Sequence, residues 1–175
     1  MSDSQDISLD SPALLCYILT VMALKQEKSP LKVDFGKQFE EVVQWANKYK
    51  TKVVLDKGVE DRFEPSENTI YINSRNHPET KYYTLLHEAG HLLIDKNWQA
   101  FDRDNPMYSV STDSRVSKSK AYRVSLVAEE IEAWKRGRRL AKRMGHQIDE
   151  KKYDKHTADN VMTYIEWAAT GDDEL

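Results

Sequence analysis

Apolar positions along this chain recur mostly at helical rather than alternating spacing, and they lay out the order of its elements. Residues 13–24 (ALLCYILTVMAL) form a continuous apolar run behind Ser11 and Pro12, an N-cap and a first-turn proline. That pattern predicts a core helix ending near Lys28. Asp3, Asp6 and Asp10 precede it where a secretory leader carries Lys or Arg, and no small-residue cleavage site follows. Ser29-Pro30 breaks this helix. Phe39, Val42, Val43, Ala46 and Tyr49 then predict a second, amphipathic helix at about 36–50.

The period changes at TKVVL (51–55) and again at TIYI (69–72), two short β-branched runs separated by turn-forming residues, Asp56-Lys57-Gly58 among them. Both predict strands. A strongly apolar helix follows at about 79–95. Residues 96–120, rich in Ser, Asp, Arg and Asn, predict a long loop. A long helix at about 120–144 is stopped by Gly145, and a last helix at about 156–169 precedes the acidic tail GDDEL. The expected fold class is α+β, mainly helical, with a small sheet packed beside the helix at 79–95.

Composition narrows the function classes. Twenty-six Lys and Arg stand against 29 Asp and Glu, a net charge of −3, which argues against a wholesale nucleic-acid binder. Cys16 is the only cysteine, so neither a disulfide framework nor a cysteine-built metal site is available. A reducing, cytoplasmic setting is expected. No run approaches the ~18 apolar residues of a membrane span.

The chemistry concentrates in TLLHEAGHLLI, residues 84–94, where His87, Glu88 and His91 interrupt an otherwise aliphatic helix. Buried imidazoles and a buried carboxylate must be paired or must hold something. His87 and His91, four apart, project from one helix face and can both bind one zinc ion. Glu88 is rotated by about 100° and is placed to act as the general base of an HExxH site. Gly90 costs about 1 kcal/mol against alanine in a helix interior, and its missing side chain lets another element approach.

Two histidines leave the ligand set incomplete. The extended HExxHxxGxxH pattern is excluded, since Leu92-Leu93-Ile94-Asp95 follows His91. His77, His146 and His156 are poor candidates, being in a loop or beyond the long helix. The helix at 120–144 offers three glutamates. Glu132 has Glu129, Lys135 and Arg136 as neighbours one turn away, a solvated face suited to a Glu132–Arg136 pair. Glu130 lies among Leu126, Val127, Ala133 and Trp134, with Gly137 two turns on, and is the expected third ligand. Glu129 is next in line, as a ligand or as support for a ligand histidine.

The stretch NTIYINSRNHPETKYYTLLHEAGHLL (68–93) resembles the strand, loop and active-site helix of the ImmA/IrrE-type zinc metallopeptidases, a gluzincin-like group common in bacteria and phages. The resemblance covers about residues 50–140. In that family a downstream E-x-x-A-N pattern supplies the third ligand; Glu130-Ile131-Glu132-Ala133 matches it, while Trp134 stands where the pattern has asparagine. The resemblance implies a zincin-like fold, one Zn2+ per chain, and hydrolysis of peptide bonds in an intracellular protein, a repressor-like regulator being one kind of substrate. It also implies a bacterial or phage-infected cell as the setting. On this reading residues 1–175 form a single metallopeptidase domain: a helical part at 1–50, a catalytic core at 51–145, and a C-terminal helix with acidic tail at 146–175. Strand 69–72 could bind extended substrate by strand addition, and Tyr108 is one candidate for an additional oxyanion donor.

Two other function classes compete. Lys135, Arg136, Arg138, Arg139, Lys142 and Arg143 put six cations into nine positions, either a nucleic-acid face or a solvated helix end favoured by the dipole. A catalytically silent zinc-binding regulator is the other, and it leaves Glu88 without a use.

Overall fold

The structure, a computed structural model, describes residues 33–106 and 119–171. The predicted helix at 13–28 and Tyr108 lie outside them. The described elements belong to one compact unit, Asp34–Leu175, and they form a mainly helical α+β fold. In chain order they are α1 (Phe35–Asn47), β1 (Lys52–Asp56), β2 (Arg62–Glu64), β3 (Thr69–Asn73), α2 (Pro78–Asp95), α3 (Trp98–Asp104), α4 (Lys120–Arg143) and α5 (Glu150–Thr170).

Helix α1 starts where Asp34 accepts a hydrogen bond from the Lys37 backbone N–H at 2.9 Å, and it buries Phe39, Val42 and Ala46 at helical spacing. It stops at Asn47, earlier than the periodicity suggested, because Tyr49 stays exposed and Lys50 turns the chain at φ 59°. Asn68, also at positive φ, clamps this turn. Its amide donates to the carbonyls of Tyr49 and Lys50, and its oxygen accepts from the Thr51 hydroxyl. The side chain thereby replaces a backbone ladder at the mouth of the sheet.

The sheet has the order β1-β3-β2. β3 pairs in parallel with β1, Val53 opposite Ile70, and antiparallel with β2, Phe63 opposite Ile70. β2 was not foreseen; three residues carry too little pattern to register as a strand. Its presence corrects a functional expectation as well. β3 is central, with both edges occupied, so it cannot bind a peptide by strand addition. Among the described residues, β2 is the edge strand next to the chemistry.

Helix α2 begins at Pro78, with the His77 ring accepting from the Glu79 backbone N–H. That capping role uses His77. The helix is buried on nearly every side, against β3, α1 and above all α4. A short helix, α3, occupies 98–104 inside the segment expected to be loop; Phe101 anchors it in a small cluster with Ile94 and Ala133. One buried aromatic is enough to hold a helix too short to show periodicity.

α2 and α4 cross at glycines. A Cβ on Gly90 would lie 2.0 Å from the Ala133 carbonyl oxygen, and one on Gly137 would lie 2.3 Å from that of Leu86. Both contacts are with main chain, so the two backbones touch directly. α5 starts at Glu150, a turn and a half before the expected 156, because Asp149 caps it by accepting from the Lys152 N–H. Its Tyr153 is fully buried and donates its hydroxyl to the Trp134 carbonyl at 3.0 Å, fastening α5 to α4. His146, in the α4–α5 turn, joins Tyr82 of α2 at 2.8 Å to Glu41 of α1 at 2.7 Å. It is a structural bridge. Among the described residues no helix is long and apolar enough to cross a membrane.

Candidate metal centre

The glycine crossing decides what sits beside the histidines. With α2 and α4 in backbone contact at Gly90 and Ala133, the side chain one turn earlier on α4 is carried onto the histidine face, and that side chain is Glu130. Its Oε2 lies 3.2 Å from His87 Nε2, and its Oε1 lies 3.4 Å from His91 Nε2. The two Nε2 atoms are 3.1 Å apart. Three atoms bound to one tetrahedral zinc at about 2.0–2.1 Å stand about 3.3–3.4 Å from one another. Each carboxylate oxygen thus stands near one ring nitrogen at about that spacing, so two imidazoles and a carboxylate converge as the donor set of such an ion requires. His87, His91 and Glu130 form the one such group among the described residues that could hold a metal ion.

Each donor is held by a neighbour. His91 donates Nδ1–H to Glu129 Oε1 at 3.0 Å, which turns Nε2 towards the cluster. The His87 ring stacks on Trp134, centroids 4.2 Å apart and planes at 20°. Trp134 lies one turn beyond Glu130 on the same helix face, so the residue replacing the pattern's asparagine forms the wall that fixes one imidazole. Glu132 points elsewhere and accepts from Arg136 at 2.9 Å and Arg139 at 2.6 Å.

The electrostatics of the cluster are those of a cation site. Burial pushes the Glu130 carboxyl up, but hydrogen bonds from His87 and His91 outweigh it and hold the group down at about 2. Burial likewise works against charge on His91, yet the carboxylates of Glu129 and Glu130 raise its proton affinity well above that of an ordinary histidine. Glu88 is different. The residue is 4% exposed, and burial pushes its pKa above the usual carboxylate range despite the two histidines nearby. It accepts a hydrogen bond from the Phe63 backbone N–H. Strand β2, invisible in the sequence pattern, therefore aims this carboxylate.

The cluster opens into a cavity of ≈ 810 Å³, lined on the far side by α5. A second cavity of ≈ 510 Å³ lies towards β2 and Trp98. The structure brings His87, Glu88, His91 and Glu130 together around the first. His156, set aside as a ligand, stays outside the cluster but lines this cavity, as do Asn160, Thr163, Tyr164 and Trp167. Those five repeat at helical spacing, a polar and aromatic stripe that was present in the sequence and marks the face of α5 turned to the site. Four of the six cations of α4 are spent on carboxylates: Arg136 and Arg139 on Glu132, Arg138 on Asp154 and Glu150, and Lys142 on Glu150.

No curated protein and no solved structure gives a match to the chain. A family model does match, over the segment that runs from the turn after α1 through the helix bearing both histidines and Glu88, and it stops short of α4 and α5. Residues 48–118 match the Peptidase M78 family, the IrrE N-terminal-like domain, and through this segment the chain bears out its resemblance to the ImmA/IrrE-type metallopeptidases.

Proposed function

We propose that this protein is a zinc-dependent endopeptidase, with His87, His91 and Glu130 as the metal ligands, Glu88 as the general base, and a protein or peptide as substrate. One observation carries the reading: two imidazole nitrogens and a carboxylate, each contact between 3.1 and 3.4 Å, share a cavity with an adjacent buried carboxylate that is not among them. A site kept only for structure has no use for that fourth group.

A zinc ion held there supplies an acidified water and polarises a peptide carbonyl. The remaining work falls to the chain itself. Glu88, fixed by the Phe63 N–H, takes a proton from the attacking water and returns it to the amine nitrogen as the C–N bond breaks. Glu129 keeps His91 in the tautomer that presents Nε2. Trp134 excludes water from one side of His87. The pairing of the α4 cations with carboxylates leaves the nucleic-acid alternative with little free positive charge, and favours the enzyme.

Metal analysis of the purified protein beside Glu88→Gln tests the proposal. Both should hold one zinc per chain. Cleavage of a mixed peptide library, read by mass spectrometry, should fall by about 10²–10⁴ in the variant. A native protein free of zinc, or a variant that cuts as fast as the native chain, would end it.

A further inference from the structure

The two cavities at the metal centre have three lining residues in common: His91, Glu130 and Tyr164. The first two, on α2 and α4, and the third, on α5, stand where the two cavities meet. Tyr164 thus faces the cluster across the point where a scissile bond would lie. Its hydroxyl hydrogen-bonds the Glu130 carboxylate, whose oxygens stand 3.2 and 3.4 Å from the two Nε2 atoms. The phenol is therefore within a few ångströms of where a carbonyl oxygen must gain charge.

From this arrangement we infer that Tyr164 is a catalytic residue, donating a hydrogen bond to the peptide carbonyl oxygen as it becomes negative. The inference rests on the metallopeptidase reading and extends it to a helix that the family match does not reach. Glu130 does not need the tyrosine to be oriented, since both its oxygens already face histidines and its helix is locked at Gly90 and Gly137. A phenol also suits the task better than the other side chains of this wall. His156 is packed against the Tyr83 and Trp134 rings. Asn160 donates its amide to the His156 carbonyl and Thr163 its hydroxyl to the Asn160 carbonyl, so both are tied to their own helix.

In the reaction so assembled, water adds its oxygen to the carbonyl carbon and the C–N bond breaks. Glu88 carries a proton from that water to the departing nitrogen. Tyr164 keeps its proton throughout and contributes only the hydrogen bond, which strengthens as charge develops.

The test uses the full chain and two probes, zinc and acetohydroxamate, a metal-chelating ligand whose oxygens occupy the place of the peptide carbonyl. Tyr164→Phe keeps the ring and removes the hydroxyl. By chelator competition the variant should bind zinc as the native chain does. Titrated with acetohydroxamate in the cobalt-substituted form, followed in the visible spectrum, it should lose affinity about tenfold or more. Tyr71→Phe, which removes a hydroxyl bonded to Glu67 in the β2–β3 turn, should behave as native in both. Unchanged acetohydroxamate affinity in Tyr164→Phe overturns the role given to Tyr164. So does a parallel loss of zinc, which would make the tyrosine a support for Glu130. A native chain that takes up no zinc instead brings down the peptidase reading itself.

Discussion

Replacing Gly90 by alanine adds a single methyl group at the place where the site is assembled. That carbon would lie 2.0 Å from the Ala133 carbonyl oxygen and 2.7 and 2.9 Å from the next two main-chain atoms. An ordinary carbon–oxygen contact is about 3.3–3.6 Å, so α2 and α4 must separate locally by about 1.3 Å or more. Neither partner can yield by a rotamer change, because the obstacle is backbone. Two stability effects then oppose each other: alanine improves helix propensity by about 1 kcal/mol, and overpacking costs typically about 1–3 kcal/mol. The net change in melting temperature is small and tells little. The metal site has no such compensation. Glu130 lies one turn from Ala133 and moves with it, which takes its oxygens from 3.2 and 3.4 Å towards more than 4 Å from the histidines. No single tetrahedral ion spans that gap with bonds near 2 Å. Zinc affinity, measured by competition with a chromophoric chelator on protein that circular dichroism shows to be folded, should fall by at least about tenfold, and Gly137→Ala should act in the same direction. Native affinity in folded Gly90→Ala would refute the claim that this backbone contact sets the ligand geometry.

Two further outcomes are expected. Glu129→Ala frees the Nδ1 side of His91 and should weaken zinc about 10–100-fold without removing a ligand, whereas the same zinc titration on Glu132→Ala should match native. Glu132 also predicts a pH dependence: burial pushes its carboxyl up, but Arg136 and Arg139 bring it to a net value below the ordinary range. A depressed native pKa stabilises the fold above the unfolded value and ceases to do so as pH falls through the native one, so the melting-temperature gap between native and Glu132→Gln should be present at pH 7 and shrink below about pH 4. A gap that widens in acid would contradict the assignment.

The sequence by itself determined the local features of this protein. The spacing of His87 and His91, the adjacent Glu88 and the apolar helix carrying them are written within a few residues of one another, and one helical turn is enough to relate them. Even the ranking of Glu130, Glu129 and Glu132 follows from the neighbours at three and four residues, because those neighbours define which way each side chain leaves α4. The tertiary structure decided what lies far apart in the chain. That β3 is central and β2 an edge, that the Phe63 N–H aims Glu88, and that Trp134 walls His87 all depend on packing between elements whose own patterns are silent about their partners. Helix α3 was missed because seven residues with one buried aromatic show no period, and α5 was drawn short because its first turn is held by the Asp149 cap, not by apolar residues. The placement of Tyr164 opposite the cluster is of the same kind. Its stripe on α5 was legible as a face, but only the fold of α5 back across α4, fastened by Tyr153, gave that face a cavity to line.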